Sequence, residues 1–236
     1  MKISRRSIVL PTYATRVSLA LIAFIIVAST TYLIVQYPSL PWLLSVRFKT
    51  DGSPNGWQYR TPARVMMPVL VQLALASTFG AIGYLLLSRR HGARDTQAPD
   101  VRAAAVAAEA VTLIALIWVT FQGYAAWALV RMWTVERAGL GWYTLFELLG
   151  LVATGVVAVR AHGHLGRPAP RPYTAAHWRF GQLYKNSEDP ALFVPTRDGS
   201  RWTLNFGRPK AAALLGIILL IGIVGPTVIL VLILRS

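Results

Sequence analysis

Two carboxylates stand out in this sequence because each interrupts a long apolar run. Glu109 and Glu147 lie in segments otherwise rich in Ala, Leu and Val. A carboxylate buried in hydrocarbon is costly, so such a residue suggests a proton or ion pathway. A structural role is the alternative, because each residue lies about two turns from a predicted helix end. Glu147 could also pair with Arg131 or Arg137. One carboxylate per apolar run favours the structural role.

The other residues with metal-ligating chemistry have incomplete partner sets. His162 and His164 form an H-x-H pair, and His177 follows, but no acidic or cysteine ligand is close in sequence. Asp51–Gly56 fits the start of an EF-hand loop, yet Pro62 stands where the bidentate glutamate is needed. We therefore predict a solvated linker and a turn at these places. No nucleophile, phosphate-loop or metalloprotease motif appears, so we expect neither an enzyme nor a cofactor.

The elements that position these residues follow from composition. The chain is 55% hydrophobic and 14% charged, whereas soluble domains average about 25% charged residues. An apolar run of about 20 residues spans a bilayer. Five such runs are present: Val17–Gln36, Val65–Ser88, Ala103–Val130, Leu140–Val159 and Ala211–Leu234. The predicted fold is an all-α integral membrane protein with about five transmembrane helices and two short β-hairpin-like polar loops.

The first apolar run has two interpretations. A basic start, an apolar stretch and the small residues Val27–Ser29 fit a cleavable signal peptide. The run continues to Val35, however, and this length favours a retained helix.

Charge predicts the topology. The formal net charge is +15, with 24 Lys and Arg residues. Seventeen of them lie in the N-terminal arm and in the second and fourth connections between runs. The positive-inside rule therefore places the N-terminus in the cytoplasm and the C-terminus outside. Anionic lipid headgroups are the nearest partners for these cations, and we expect no direct contact with nucleic acid.

The first polar loop alternates in hairpin fashion. Val46 and Phe48 alternate with cations, Trp57 and Tyr59 alternate with polar residues, and turn formers lie between the two stretches. We predict a hairpin at the outer face, with Trp42, Trp57 and Tyr59 at headgroup level.

The fourth connection carries a second predicted hairpin. Its strands are expected within Ala191–Pro195 and Arg201–Phe206, joined by an Asp-Gly turn. Because an isolated hairpin is marginally stable in water, its apolar face should dock on the membrane interface, the helix ends or a partner. The candidate partner-binding residues are Trp178, Tyr184, Asn186, Asp189, Trp202, Asn205 and Phe206.

Both polar loops resemble known bacterial modules. The segment from about Val17 to Leu87 resembles the uncharacterised N-terminal domain of SdpI-type immunity and signalling membrane proteins. The matching residues are Leu40-Pro41, Phe48, Gly52, Pro54 and Trp57. Arg47 stands where that family usually has histidine, and Arg60 where it usually has lysine. The resemblance implies toxin immunity and retention of a repressor at the membrane, but that activity depends on a C-terminal half without a counterpart here.

A second stretch of about 35 residues resembles a small domain of unknown function near the C-terminus of similar membrane proteins. The matching positions are Trp178, Gly181, Tyr184, Asn186, Asp189-Pro190, Phe193-Val194-Pro195, Gly199 and Trp202–Phe206. The resemblance implies a cytoplasmic hairpin module that leads into a terminal helix.

The predicted organisation has four parts: an SdpI-like domain at 1–90, helices three and four at 91–160, an Arg/Pro-rich linker at 161–177, and a hairpin module with a terminal helix at 178–236. The leading functional hypothesis is a membrane signalling or immunity-like protein whose cytoplasmic hairpin binds a protein partner. The alternatives are a small transporter that uses Glu147 and Glu109, and a structural accessory subunit of a membrane complex.

Overall fold

The computed structural model describes residues 6–48, 54–90, 99–135, 142–165, 168 and 173–219. The chain divides into two compact units. We call residues 13–79 and 110–160 the bundle unit, and residues 1–12, 80–109 and 161–236 the terminal unit. Each is described separately.

Helices dominate the described residues, as the composition predicts. They are α1 (Tyr13–Gln36), α2 (Pro62–Val65), α3 (Met67–Leu87), α4 (Pro99–Thr134), α5 (Tyr143–Leu165) and α6 (Pro209–Leu219). Within the described ranges, four helices are long and apolar enough to cross a membrane: α1 with its 3₁₀ extension to Ser39, α3, α4 and α5. The class of helical membrane protein is thereby confirmed.

The predicted count of five spans differs from the four found in the described residues. The expected fifth span, Ala211–Leu234, begins within α6, and its residues after Leu219 lie outside the described part of the chain.

Two helices are longer than expected. α4 has 36 residues, a length of about 54 Å at 1.5 Å per residue, and so exceeds a hydrocarbon layer of about 30 Å. α5 continues to Leu165. The predicted linker from residue 161 is therefore wrong for its first five residues, because no proline interrupts the helix before Pro168.

The bundle unit packs α1, α3 and α4 around two apolar clusters. One contains Ile22, Ala115 and Val119. The other lies where the hairpin joins the helices and consists of Leu33, Leu40, Leu44, Val65, Val69, Ala126, Val130 and Trp133. A Cβ on Gly123 would meet Ile25 Cγ2 at 3.3 Å, so this glycine permits close packing of α4 against α1. A Cβ on Gly80 of α3 would meet no atom within 4 Å.

α5 contacts α4 through a few side chains and leaves most of its apolar surface open. The Tyr143 and Phe121 rings lie 5.0 Å apart, and those of Phe146 and Tyr124 lie 4.4 Å apart. Its exposed apolar residues are Leu145, Phe146, Leu148, Leu149, Leu151, Val152, Val156 and Val159. Such a surface is typical of a helix that faces lipid.

The hairpin predicted in the first polar loop is confirmed. β2 (Leu43–Phe48) pairs antiparallel with β3 (Pro54–Tyr59). The indole Nε1 of Trp133 donates to the carbonyl of Ser45 at 2.9 Å, which ties the hairpin to α4. Trp42, Trp57 and Tyr59 are exposed; their placement at headgroup level stays a prediction. Half of the EF-hand-like stretch, residues 51–53, lies outside the described residues.

In the terminal unit, β1 (Arg6–Ile8) pairs antiparallel with β4 (Ser88–Arg90). The second connection between apolar runs therefore begins as a strand. Its pairing partner lies 82 positions away in sequence, in the N-terminal arm, where local pattern gives no hint of it.

The rest of the terminal unit is built from short elements. A 3₁₀ turn at Ala175–His177 is followed by β5 (Trp178–Arg179), β6 (Leu183–Tyr184), β7 (Phe193–Pro195) and β8 (Trp202–Leu204). The β7–β8 pair confirms the second predicted hairpin, with Val194 opposite Thr203. The β5–β6 hairpin was not predicted.

Candidate functional site

The region with the richest polar chemistry is residues 173–208, which we call the polar module. Its two hairpins lie side by side, because the amide of Phe206 donates to the carbonyl of Tyr184 at 2.9 Å. The amide of Lys185 also donates to the carbonyl of His177 at 2.8 Å. The two hairpins form separate two-stranded sheets, and β6 lies beside β8.

Asn205 is the centre of the module. Its side chain is fully buried. Its Oδ1 accepts from the amides of Asn186 and Gly207, both at 3.0 Å. Its Nδ2 donates to the carbonyls of Asn186 at 2.8 Å and Ala191 at 3.1 Å. A buried side-chain amide whose oxygen and nitrogen are both hydrogen-bonded fixes the backbone segments that it bonds. Asn205 therefore acts on any partner only through the loops that it positions.

Asp189 organises the turn before β7. Its Oδ2 accepts from the hydroxyl of Tyr184 at 3.1 Å, and its Oδ1 accepts from the amide of Ala191 at 2.9 Å. Arg208 Nε donates to the Asp189 carbonyl at 2.7 Å. The predicted site residues Tyr184, Asn186, Asp189 and Asn205 are thus brought together in one hydrogen-bonded network.

A glycine makes this network possible. A Cβ at Gly207 would lie 2.3 Å from the carbonyl carbon of Asn186. No side chain fits at that distance, so the two backbone segments meet only because residue 207 is glycine.

Beside the network lies a small pocket of about 50 Å³. Val194 and Pro195 are buried and form its floor. The rings of Trp178 and Tyr184 stand edge to face, 5.3 Å apart, at one wall. The remaining lining residues are Tyr173, Thr174, His177, Thr196 and Arg197. A water needs about 10–15 Å³ of such space, so the pocket takes a few waters or one short side chain.

The mouth of the pocket is cationic. Arg197 Cζ lies 4.5 Å above the ring of Tyr173, a cation–π contact that leaves the exposed guanidinium at the rim. Because guanidinium forks match carboxylates, this rim is suited to bind an acidic group.

The turn between β7 and β8 is closed by Asp198. The Ser200 hydroxyl, the Thr196 hydroxyl and the Ser200 amide all donate to its carboxylate. In that order of importance, these hydrogen bonds lower the pKa of Asp198 from 3.8 to about 2.

One contact attaches the module to a helix end, and a second attaches the helix that follows the module. Trp202 Nε1 donates to the carbonyl of Leu165, the last residue of α5, at 3.3 Å. At the start of α6, Lys210 Nζ donates to the carbonyl of Ser88 at 2.6 Å, just after α3. Of the three docking surfaces expected for the second hairpin, the helix ends are therefore in contact with it.

The predicted intramembrane carboxylates occupy separate environments. Glu109 is half-buried on α4, ten residues after Pro99 and thus about 15 Å from the helix start, deeper than expected. Glu147 is exposed on α5, one turn after Tyr143. Within the described residues Glu147 and Arg131 form no hydrogen bond or ion pair, and Arg137 lies outside them.

A buried polar residue of the bundle unit has the more unusual surroundings. Gln72 is fully buried; its Nε2 donates to Ser29 Oγ at 3.1 Å and to the carbonyl of Val119 at 3.0 Å. Its Oε1 is buried with no hydrogen-bond partner among the described atoms.

The pocket residues Tyr173, Thr174, His177 and Arg197 were not predicted as site residues. The aromatic density from Tyr173 to Tyr184 was the available signal, but no local periodicity joins that stretch to β7. Among the described residues, no three His, Asp or Glu side chains lie close enough together to hold a metal ion. His162 and His164 lie in the last turn of α5.

No family model matches the chain, and comparisons with curated proteins and with solved structures found no match. The described residues therefore establish only the class of protein, which is a membrane protein of apolar helices with an ordered polar module. The resemblances stated above stay predictions.

Proposed function

We propose that this chain is a five-span protein of a bacterial cytoplasmic membrane that binds a protein partner through the polar module on the cytoplasmic side. The role is a signalling or immunity-like one. One observation carries the proposal: the module is ordered around a buried asparagine and presents a small aromatic pocket with a cationic mouth.

The pocket chemistry supports a protein ligand. Trp, Tyr and Arg are the residues that most often carry the energy of protein–protein contacts. Here Trp178, Tyr184 and Arg197 surround one cavity. Since the backbone beneath them is already fixed, binding costs little ordering entropy.

Two features support the placement of the basic segments on one side of the membrane. The N-terminal strand β1 pairs with β4, and Lys210 contacts Ser88 beside it. The three segments that hold most of the cations thus come together in the terminal unit, as expected if all three lie on the inner surface.

Photo-crosslinking in the native host tests the proposal. A photoreactive amino acid at Thr174, an exposed residue of the pocket rim, should give a discrete adduct identifiable by mass spectrometry. The same probe at Ser187, exposed and outside the pocket, should not give that adduct.

A matched pair of variants makes this test specific. Arg197→Ala should weaken the adduct, and Arg201→Ala, an exposed cation of the same hairpin that does not line the pocket, should leave it intact. Equal adducts from both probe positions, or equal effects of both substitutions, would count against partner binding at this pocket.

A permeation protein is the second candidate, and Gln72 favours it. A buried amide oxygen without a partner is suited to accept from a water or a permeating donor. Gln72→Leu should then abolish flux in proteoliposomes, whereas Glu147→Gln should alter it only if that exposed residue also takes part. Unchanged flux in Gln72→Leu would eliminate this candidate.

A further inference from the structure

The most exposed apolar side chain of the polar module is at the tip of the β5–β6 hairpin. Phe180 is 95% exposed. It has φ 51° and is followed by Gly181 with φ 73°, in a turn closed by the Gln182 amide on the carbonyl of Arg179 at 3.2 Å. Glycine adopts such angles without strain, but phenylalanine does not. A bulky apolar residue therefore occupies a turn position where glycine would have less backbone strain.

The hairpin that exposes Phe180 is ordered by contacts at its base. The Trp178 and Tyr184 rings pack at its base, and the His177 ring lies 5.9 Å from that of Tyr184. The Lys185 amide closes the base on the carbonyl of His177. The tip is thus held at a fixed position relative to the module.

The hairpin lies close to a helix predicted to enter the membrane. Tyr184 is bonded to Phe206, three residues before α6 begins at Pro209. Residues 206–208 form a turn, so at about 3.3 Å per residue the Tyr184–Phe206 bond lies at most about 10 Å from the start of α6. The hairpin from Tyr184 to Phe180 extends at most about 13 Å by the same measure. The headgroup layer is only about 5–8 Å thick on each side of the hydrocarbon. The tip can therefore reach the bilayer surface from its attachment point.

The exposed cations of this hairpin match an anionic surface. Arg179 is exposed directly beside Phe180, and Lys185 is exposed at the base of the hairpin. Cations beside an exposed aromatic ring are typical of segments that bind anionic headgroups and insert the ring among them. We propose that Phe180 inserts into the inner leaflet, with Arg179 and Lys185 on anionic headgroups, and that this contact holds the polar module against the bilayer.

The chain has no cysteine, so a single spin label tests the proposal in the full-length protein. Phe180→Cys is labelled with a nitroxide and reconstituted into nanodiscs with and without phosphatidylglycerol. Power saturation with oxygen and with a water-soluble nickel chelate then gives the depth of the label. Ser187→Cys, another exposed position of the module, serves as the matched control.

We expect a positive depth parameter at residue 180 in anionic nanodiscs and a negative one at residue 187. Adding Arg179→Gln and Lys185→Gln should shift the value at 180 towards that at 187. Raising salt to 1 M should do the same, because the Debye length falls from about 8 Å to about 3 Å. Circular dichroism and thermal unfolding confirm that each labelled variant is folded.

Two results would overturn the proposal. A label at 180 as open to nickel as the label at 187, in both lipid mixtures, would place the tip in water. A label shielded from both oxygen and nickel would place it against protein, and Phe180 would then belong to a protein interface. Neither result bears on crosslinking from Thr174, so this test and the test of partner binding are independent.

Discussion

The side chain of Asn205 forms hydrogen bonds with both the amide and the carbonyl of Asn186. Its Oδ1 accepts from the amide of Asn186 at 3.0 Å, while its Nδ2 donates to the carbonyl of Asn186 at 2.8 Å. A side-chain amide thus takes the place of a neighbouring strand. The contact joins two loops 19 positions apart and sets the position of the pocket wall at Tyr184.

The first prediction follows from that contact. Asn205→Ala leaves buried amides and carbonyls unpaired, at about 1–3 kcal/mol for each unsatisfied group. Since every 1.4 kcal/mol is a factor of ten, hydrogen exchange at the amides of Asn186 and Gly207 should be faster by about tenfold or more. Ser187→Ala, an exposed change in the same loop, should leave those rates unchanged. Equal protection in Asn205→Ala would mean that the amide is not the centre of the module.

The second prediction concerns Gly207. An alanine Cβ would lie 2.3 Å from the backbone of Asn186, which Asn205 prevents from moving away. Gly207→Ala should therefore destabilise the module by about 1–3 kcal/mol, measured as increased proteolysis of residues 184–208. Gly216→Ala in α6, where a Cβ meets no atom within 4 Å, is the control and should be neutral or stabilising.

The third prediction tests helix packing in the bundle unit. A Cβ at Gly123 would meet Ile25 Cγ2 at 3.3 Å and Ser29 Oγ at 3.4 Å. Gly123→Val should separate α4 from α1 and lower the thermal unfolding temperature in detergent, at a cost of about 1–3 kcal/mol. Gly155→Val in α5, where the Cβ position is open, should have little effect. Similar loss in both variants would show that valine itself, and not the close approach, is responsible.

The fourth prediction is a pH dependence at the β7–β8 turn. The pKa of Asp198 is lowered to about 2 in the folded chain. A lowered folded-state pKa means that the carboxylate stabilises the turn above its unfolded value of 3.8, and that this contribution is lost as the pH falls through about 2. Carboxyl ¹³C NMR of the labelled protein should give this midpoint. In Ser200→Ala the midpoint should move up towards 3.8, because the largest stabilising hydrogen bond is removed. An unchanged midpoint would contradict that assignment.

The membrane class and the two hairpins were predictable because their signals are local. Twenty-residue apolar runs and alternation around Asp-Gly turns need no information from distant residues. The end of α5 was not predicted because Gly163 and two histidines make residues 161–165 weak helix formers, yet the helix continues through them to Leu165.

The β1–β4 pair and the pocket were not predictable, for a different reason. Arg6–Ile8 has no strand pattern of its own and pairs only because the terminal unit brings Ser88–Arg90 beside it. Asn205 was predicted as a partner-binding residue. Its full burial results from loops at 186 and 207 that close around it.

The bonds from Trp202 to Leu165 and from Lys210 to Ser88 have a practical consequence. A soluble peptide cut to residues 173–208 would lose both partners, together with the lysine that supplies one of the two bonds. In such a fragment the indole of Trp202 would be exposed to water, whereas in the whole chain it is bonded to Leu165 at the end of α5. Affinities measured on the excised piece would then describe a different surface from the one that the cell encounters.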